Sequence, residues 1–513
     1  MKSYHHNSND YILSSHINIT FDELVSMDNS TFEKWVMEFR EEVKRSWVDY
    51  NQPPIRTIDD KTIVSQMERL TDMSMVGTFQ IDTMTNTEDC IVMKSPINCT
   101  NTFFPNMGKM KDINTTNMEG ESLWDYFVEG KKTSQFIQSI KRNFKFDSFY
   151  KFSPVLKKNS PHSLGCKDGK RWVKTYNEIG IPNHNFWLEP MDKIQRGLIY
   201  IKGNVVEDLI DKGLIKSEHF NGGNIEFSKS QLFRFRIYPE GQQIFPIGLN
   251  FLKQGLVMMG VNFPPTISKF IYHHFTKDLD NQSEIIIYDP SSGYGGRLMG
   301  CLSLNSDRNI HYIGTDPNTE NWISDLGISR YEYMGRYFNN NIKRRNQTTF
   351  ETFMEGSEVI HLNREFQKYK GKIDFIFTSP PYFGAEGYSE DETQSFKKFP
   401  SYEEWRDGFL KQTLETCVEY LKPDRWMCWN IADVQFNGKY YPLERDSVEM
   451  MKSLGMLYQQ RYKMVLSGPV QSKNIKKHTR LPSTKNFCGL RGGFKKYEPI
   501  FCFYKPNYKS DMS

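Results

Sequence analysis

The sequence predicts an α/β fold: a mainly parallel, doubly wound sheet in the C-terminal half, preceded by an α+β accessory region. Three observations predict it. From about residue 262, short apolar runs alternate with helical ones. A glycine-rich turn, Asp289-Pro-Ser-Ser-Gly-Tyr-Gly-Gly-Arg297, follows directly on the apolar run Ile285-Ile-Ile-Tyr-Asp289. A further apolar run, Ile373-Asp-Phe-Ile-Phe-Thr378, ends abruptly in Ser379-Pro-Pro-Tyr-Phe383.

Taken in order, the first 75 or so residues read as polar helix, clearest at Phe32-Glu-Lys-Trp-Val-Met-Glu-Phe39. Residues 80–120, rich in Asn, Thr, Met and Gly, show no sustained period and read as loop. Residues 121–240 mix short helical and strand-like runs, ending in Leu232-Phe-Arg-Phe-Arg-Ile-Tyr. The strands at 285–289, 311–316 and 373–378 follow. Ser401-Tyr-Glu-Glu404 is a capping box, and the helix it opens carries Leu410, Leu414, Cys417 and Leu421 on one face before Pro423. Strands are expected at 426–432, 457–466 and 499–504. This predicts a polar, partly helical region over 1–120 and an α+β region over 121–255, a candidate for target recognition. A catalytic domain over 256–507 completes the chain, with a basic insertion at 468–496.

A chain of 513 residues exceeds what one core usually serves. Its eight cysteines are scattered with no Cys-x-x-Cys pair, and neither His-His pair has a cysteine nearby in sequence. A disulfide framework and a zinc site are both disfavoured, no metal is expected, and a reducing cytosol is the expected, cytoplasmic setting. No apolar run approaches the ~18 residues of a membrane span. Net charge is only +4, yet residues 131–174 hold twelve Lys/Arg against two acids, and residues 468–496 hold eight against none. Charge segregated in this way makes a phosphate-attracting surface without a basic protein overall.

Gly293 and Gly295 permit a tight turn and close backbone approach to a ligand at a strand's carboxyl end, where open α/β sheets bind ligands. The dinucleotide fingerprint wants a third glycine at 298, which is Leu298, so a nicotinamide cofactor is disfavoured. Asp316 ends the next strand 23 residues after Gly293 and suits a ribose diol. Gly356-Ser357-Glu358 falls where a further strand-end loop would border an adenine ring. A plain glycine turn and a helix-capping Asp would explain either feature alone; their spacing in consecutive strand ends favours a cofactor.

In Thr378-Ser379-Pro380-Pro381-Tyr382-Phe383, two prolines stiffen the backbone and withhold amide donors, so carbonyls face the pocket. The Ser379 hydroxyl and Pro380 carbonyl are two acceptors suited to an amino group whose lone pair is delocalised. Tyr382 offers a flat face for a planar ring. A rigid surface turn or polyproline ligand is the plainer explanation, but such segments rarely end a buried strand.

Together, Asp289-Pro-Ser-Ser-Gly-Tyr-Gly-Gly, Thr315-Asp-Pro-Asn and Thr378-Ser-Pro-Pro-Tyr-Phe resemble the amino-group DNA methyltransferases. They are most similar to the Ser-Pro-Pro-Tyr branch, which commonly modifies cytosine N4. The Asp289-Pro…Gly-Arg-Leu and Thr315-Asp-Pro-Asn pattern is also similar to methyltransferase-like proteins of large phages and viruses. The resemblance covers about residues 262–505. It implies a Rossmann-like class I sheet, mostly parallel with a reversed last strand, and S-adenosyl-L-methionine as cofactor. The implied contacts are Asp289, Pro290, Ser292, Gly293, Gly295, Asp316, Ser357, Glu358 and Thr266, the last within Asn262-Phe-Pro-Pro-Thr266. The implied catalytic set is Ser379, Pro380, Pro381 and Tyr382, acting on a flipped base. Two departures matter. Ser291 stands where the family has an aromatic residue, and the 80 or so residues between the turn and Ser379 leave no room for a target-recognition domain.

Recognition then falls to the N-terminal half or to the basic insertion, whose Lys473, Lys476, Lys477, Arg480, Lys485, Arg491 and Lys495 read as a DNA clamp. The stretch 131–174 interleaves its basic residues with aromatics, as nucleic-acid modules often do. The expected partner is DNA, the expected product an N4-methylcytosine or N6-methyladenine. A C5-cytosine enzyme would need a Pro-Cys nucleophile, and the chain has no such dipeptide. Alternatives are an RNA guanine-N2 or protein-glutamine methyltransferase, or a silent nucleic-acid binder retaining the fold.

Overall fold

The computed structural model describes residues 27–50, 58–93, 97–111, 121–137, 262–279, 284–305, 308–346, 348–384, 391–436, 439–466, 486–490 and 493–507. It adds isolated stretches at 14, 17–20, 23–24, 151–153, 186–188, 198–202, 232–236 and 387–388. The chain forms two compact, discontinuous units. One comprises Met1–Asp10, Thr57–Ser122 and Met259–Ser513; the other comprises Tyr11–Arg56 and Leu123–Met258. The units are thus interleaved along the sequence.

The larger unit is built on a ten-stranded sheet of β1 (Phe79–Asp82), β2 (Thr87–Val92), β3 (Glu284–Asp289), β4 (Asn309–Thr315), β5 (Thr348–Phe353), β6 (Ile373–Thr378), β7 (Leu421–Asn430), β8 (Leu457–Val465), β9 (Phe487–Leu490) and β10 (Gly493–Lys505). Its order is β1-β2-β8-β10-β7-β6-β3-β4-β5, with β9 paired to β10 off this path. Strands β5, β4, β3, β6 and β7 run parallel, while β10 is antiparallel to both β7 and β8. This is the expected doubly wound sheet with a reversed last strand. Its helices are α1 (Asp60–Thr71), α2 (Pro265–Thr276), α3 (Gly296–Leu302), α4 (Arg330–Asn341), α5 (Lys411–Tyr420) and α6 (Leu443–Ser453).

Burial on both faces explains why β6 reads as an unbroken apolar run: all six of its residues are buried. Phe375 and Phe377 pack into the cluster that holds Ile271, Tyr272 and Leu298, while Ile373 and Ile376 pack into the one that holds Leu410, Leu414 and Trp429. The polar intruder, Asp374, is buried and accepts from the Ile286 amide (2.9 Å), Lys422 (2.7 Å) and Arg425 (3.3 Å). That satisfies the carboxylate and stitches three parallel strands together.

Two readings of the sequence are corrected. Residues 80–120 are not uniformly loop: β1 and β2 add to the ten-stranded sheet, β2 running parallel to β8 through Cys90–Lys463, Ile91–Met464 and Val92–Val465. A helical turn at Thr100–Phe103 and a 3-10 helix at Pro105–Lys109 follow. Only Cys90 and Ile91 of β2 are buried, so the strand has no alternation to read, and its partner strand decides its conformation. In this hairpin, Asp82 and Asp89 accept from Lys463 (2.7 and 3.0 Å). Asp82, Asp89 and Cys90 have metal-ligand proximity, but the buried Lys463 ammonium already supplies the positive charge there. The second correction is at 401–421. The capping box at Ser401 forms, but a π-helical segment at Trp405–Leu410 precedes α5, and Leu421 opens β7 instead of closing the helix.

The smaller unit contains a helix at Asn29–Tyr50, where the 3.6-residue period expected it. Trp35 stacks on Phe39 (5.3 Å), and Phe39, Phe127 and Phe136 pack edge to face. Its four-stranded antiparallel sheet is formed by Lys151–Ser153, Leu232–Arg236, Leu198–Lys202 and Phe186–Leu188, in that order.

Candidate active site

The turn after β3 is organised by Asp289, which is 0% exposed. Oδ2 accepts from Arg297 Nε (2.9 Å) and the Tyr312 hydroxyl (2.7 Å); Oδ1 accepts from the Thr378 hydroxyl (2.8 Å) and the Ser291 amide (3.3 Å). Four donors saturate the carboxylate. Asp289 is therefore a clamp that ties the glycine turn, β4 and the end of β6 together. The Pro290 carbonyl accepts from Thr315 Oγ1 (2.7 Å), and the Ser292 amide donates to the Thr315 carbonyl (2.9 Å). The Ser292 hydroxyl is buried and turns inward towards Tyr312 (3.3 Å).

The lip of the turn is Gly293, with φ +56°, followed by Gly295 with φ +73°. Both conformations lie in the left-handed region that disfavours a side chain. A Cβ on Gly295 would stand 2.6 Å from Phe104 Cε2, and one on Gly296 would stand 2.1 Å from the Phe263 carbonyl oxygen. The glycines therefore admit neighbours as well as a ligand. Asp316, just past the end of β4, accepts from the Gly293 amide (2.7 Å) and the Asn318 amide (3.0 Å). Burial pushes its carboxyl up to about 6, against the pull of those amides in the other direction. The Gly293 carbonyl in turn accepts from the Tyr331 hydroxyl and, at 3.4 Å, from Asn321.

The structure brings the two predicted halves together through a residue the sequence did not single out. Thr378 donates to Asp289 and accepts from the Ser291 amide (3.2 Å), which fixes the last position of β6 against the glycine turn. Ser379 follows at once, half-buried, with Pro380 buried and Pro381 and Tyr382 half-buried. Tyr382 packs on the apolar cluster beneath it, and Phe383 anchors the segment against Tyr441 (5.0 Å) and Tyr402 (5.4 Å). Beyond Phe383, Tyr388 meets Tyr294 (5.9 Å), Asp391 accepts from Thr319, and Thr393 donates to the Pro317 carbonyl (2.9 Å).

Ser357 and Glu358 lie beyond the end of β5, whose Phe353 carbonyl accepts from the Asp316 amide (3.1 Å). The Ser357 hydroxyl is paired with Thr413 (2.9 Å), and Glu358 accepts from Lys398 (2.6 Å). Both side chains are buried at this strand end. Thr266 sits in the first turn of α2, buried, its hydroxyl without a hydrogen-bond partner among the described residues. Asn262, just ahead of it, donates to the Tyr294 carbonyl (2.7 Å).

Of the basic insertion, Lys473, Lys476, Lys477, Arg480, Lys485 and Arg491 lie outside the described residues. Lys495 pairs with Cys488 in the β9–β10 hairpin, so part of the stretch expected to be a connection is strand. Residues from the N-terminal part, Phe104 and Asn106, escaped the sequence reading altogether; nothing in a run without periodicity marks them.

Residues 373–511 match the family model described as DNA methylase. A search of curated proteins finds no match. Among solved structures, the chain is similar to a SAM-dependent methyltransferase from Methanosarcina mazei (12% identity, 46% of this chain and 97% of that one, TM-score 0.26). It is similar to a protein described as a class I S-adenosylmethionine-dependent methyltransferase from Listeria monocytogenes (16% identity, 48% and 64%, TM-score 0.28). A third is a protein described as a DNA modification methylase from Thermus thermophilus, complexed with S-adenosyl-L-methionine (15% identity, 30% and 54%, TM-score 0.19). The fold itself rests on the strand order of this chain, a Rossmann-like sheet that is mostly parallel with a reversed last strand. No helix among the described residues is long and apolar enough to cross a membrane.

Proposed function

We propose that this protein is an S-adenosylmethionine-dependent methyltransferase that modifies an exocyclic amino group of a DNA base, cytosine N4 in preference to adenine N6. The observation that carries this reading is the Asp289 clamp: one carboxylate holds the glycine turn through Ser291 and the end of the catalytic strand through Thr378. The family match over 373–511, which spans Ser379–Tyr382, supports it.

The residues fit the cofactor. Gly293 presents backbone without a Cβ, and Asp316 is a part-buried carboxylate able to accept from two ribose hydroxyls beside the two amides it already holds. Loops from β5, including Glu358, border the neighbouring strand end. When bound, the cofactor supplies a methyl group activated by a sulfonium. Everything else is done by the chain. The Ser379 hydroxyl and Pro380 carbonyl accept the two amino hydrogens of the base, which localises the nitrogen lone pair as its bond to carbon forms. The proton displaced from nitrogen passes by way of the Ser379 hydroxyl, which can accept and donate, to solvent. Tyr382 stacks on the extruded base, worth about 1–3 kcal/mol, comparable with the few kcal/mol that extrusion costs. The basic segment 468–496 is assigned to the phosphate backbone, on the strength of its eight positive and no negative side chains.

The test is transfer from labelled S-adenosylmethionine to unmethylated duplex DNA, followed by mass spectrometry of the nucleosides. N4-methylcytosine is expected. Ser379→Ala should lower turnover by about 10²-fold or more, as loss of a transition-state hydrogen bond does, while cofactor affinity stays near wild type. Label in RNA or protein but not in DNA would overturn the substrate, and full activity of Ser379→Ala would overturn the chemistry.

A further inference from the structure

The segment from Asn98 to Lys111 lies more than 150 residues ahead of the glycine turn in sequence, yet it forms one side of that turn. Phe104 packs against Gly295, Tyr294 (6.0 Å) and Tyr331 (5.2 Å). The Phe103 carbonyl accepts from the buried Arg330 (3.3 Å), and Lys109 pairs with Glu320 (2.8 Å). Asn101 accepts from Asn262 (3.2 Å), the residue that holds the Tyr294 carbonyl. These contacts all fall within one compact unit.

The informative contact is a buried relay. Asn106 Nδ2 donates to Asn321 Oδ1 (2.8 Å). With its oxygen so occupied, the Asn321 amide has its NH2 turned towards the Tyr331 hydroxyl (2.8 Å) and the Gly293 carbonyl (3.4 Å). The Tyr331 hydroxyl donates to that same carbonyl. On its other side, the Gly293 residue gives its amide to Asp316. Gly293 has no side chain and a left-handed backbone, so its peptides would otherwise rotate with little penalty. Donors at its carbonyl and an acceptor at its amide hold it in one orientation, the orientation in which Asp316 stays at the turn. Asn106 and Asn321 are both nearly fully buried, and because Asn106 Oδ1 has no hydrogen-bond partner among the described residues, the bond from its Nδ2 to Asn321 is the polar contact that fixes this side chain.

We propose that Asn106 is a positioning residue for cofactor binding: through Asn321 and Tyr331 it sets the Gly293 peptide against Asp316, so the N-terminal segment is a working part of the cofactor site. This rests on the reading of that turn as the S-adenosylmethionine site. It predicts a specific split. Asn106→Ala should weaken binding of S-adenosylmethionine, measured by calorimetry, roughly five- to tenfold, the effect of one lost buried hydrogen bond. KM for the cofactor should rise in step, with kcat at saturating cofactor within about twofold of wild type. Asn321→Ala should act alike, and the double variant should be no worse than the weaker single one, because both interrupt one relay.

Thr102→Val is the structural control. The Thr102 hydroxyl donates to the Cys99 carbonyl (2.6 Å) inside the same segment and does not touch the relay. It should lower the melting temperature while cofactor affinity stays at the wild-type value. Should Asn106→Ala not fold, Asn106→Ser, which keeps a polar group in less volume, takes its place. Unchanged cofactor affinity in a folded Asn106 variant overturns the inference and leaves the methyltransferase reading standing. Equal weakening by Thr102→Val also overturns it, since the segment would then act only through stability. Absence of S-adenosylmethionine binding by the wild-type protein would overturn the reading of the site itself.

Discussion

Asp316 and Asp289 stand at the ends of adjacent parallel strands and carry the same carboxylate, yet their surroundings assign them different work. Asp289 meets Arg297, Tyr312, Thr378 and an amide, which complete its hydrogen bonding. Asp316 is held by two backbone amides instead of a cation, and burial raises its carboxyl from the ordinary 3.8 to about 6. The sign of the consequence follows. The folded protein holds this proton more tightly than the unfolded chain, so ionising Asp316 works against folding as pH rises from about 4 to 6. Ribose hydroxyls donate to the carboxylate and favour the ionised form, so cofactor binding should release a proton. Cofactor affinity should therefore level off above this carboxyl's pKa and fall as pH drops through about 6. Calorimetry of S-adenosylmethionine binding from about pH 5 to about pH 8, spanning that value, checks this. In Asp316→Asn the dependence should vanish along with most of the affinity. A pH-independent affinity in the wild-type protein would remove Asp316 from the contact.

At the scale of elements, the turn between β3 and α3 shows why two glycines with similar backbone angles are not equivalent. Gly295 at φ +73° has Phe104 and Met334 within 3 Å of where a Cβ would stand, whereas Gly327 at φ +63° has open space around it. Gly295→Ala should combine backbone strain of about 1–2 kcal/mol with an overpacking cost of about 1–3 kcal/mol. Gly327→Ala should show the strain alone. Thermal melts will rank them, and only Gly295→Ala should also weaken cofactor binding. Legibility in the sequence follows the same division. The glycine turn, the strand ends and the Ser401 capping box were legible because each rests on local backbone chemistry. The inward turn of Ser292 and Ser357 was not, since the partners Tyr312 and Thr413 lie 20 and 56 residues away. Strand β2 was misread because its two buried residues, Cys90 and Ile91, are adjacent and give no alternation; its pairing with β8 makes it a strand.

For the whole molecule, the interleaving of units makes the catalytic unit dependent on residues far upstream. Strand β8 would lose its β2 neighbour if the chain began at residue 256, and the buried Lys463 would lose both Asp82 and Asp89. Breaking a buried ion pair from one side costs about 3–5 kcal/mol, a large part of a domain's stability. A chain of residues 256–513 should therefore aggregate or unfold at a markedly lower temperature than the full protein, by circular dichroism and light scattering. A soluble fragment with a full-length melting temperature would show that β1 and β2 are dispensable.

The sequence by itself determined six of the strands from residue 262, the glycine turn with Asp316 as its partner, and Ser379–Tyr382 at the end of a buried strand, but neither β5 nor β9. These depend on short-range rules: residue period, backbone freedom at glycine, proline's missing donor. Tertiary structure alone decided that Asp289 is a clamp, that Thr378 joins the two halves, and that Phe104 and Asn106 reach the turn. Such roles depend on which groups meet across long sequence separations in a buried setting. There every donor must find an acceptor, and nothing local to either residue records which one it finds.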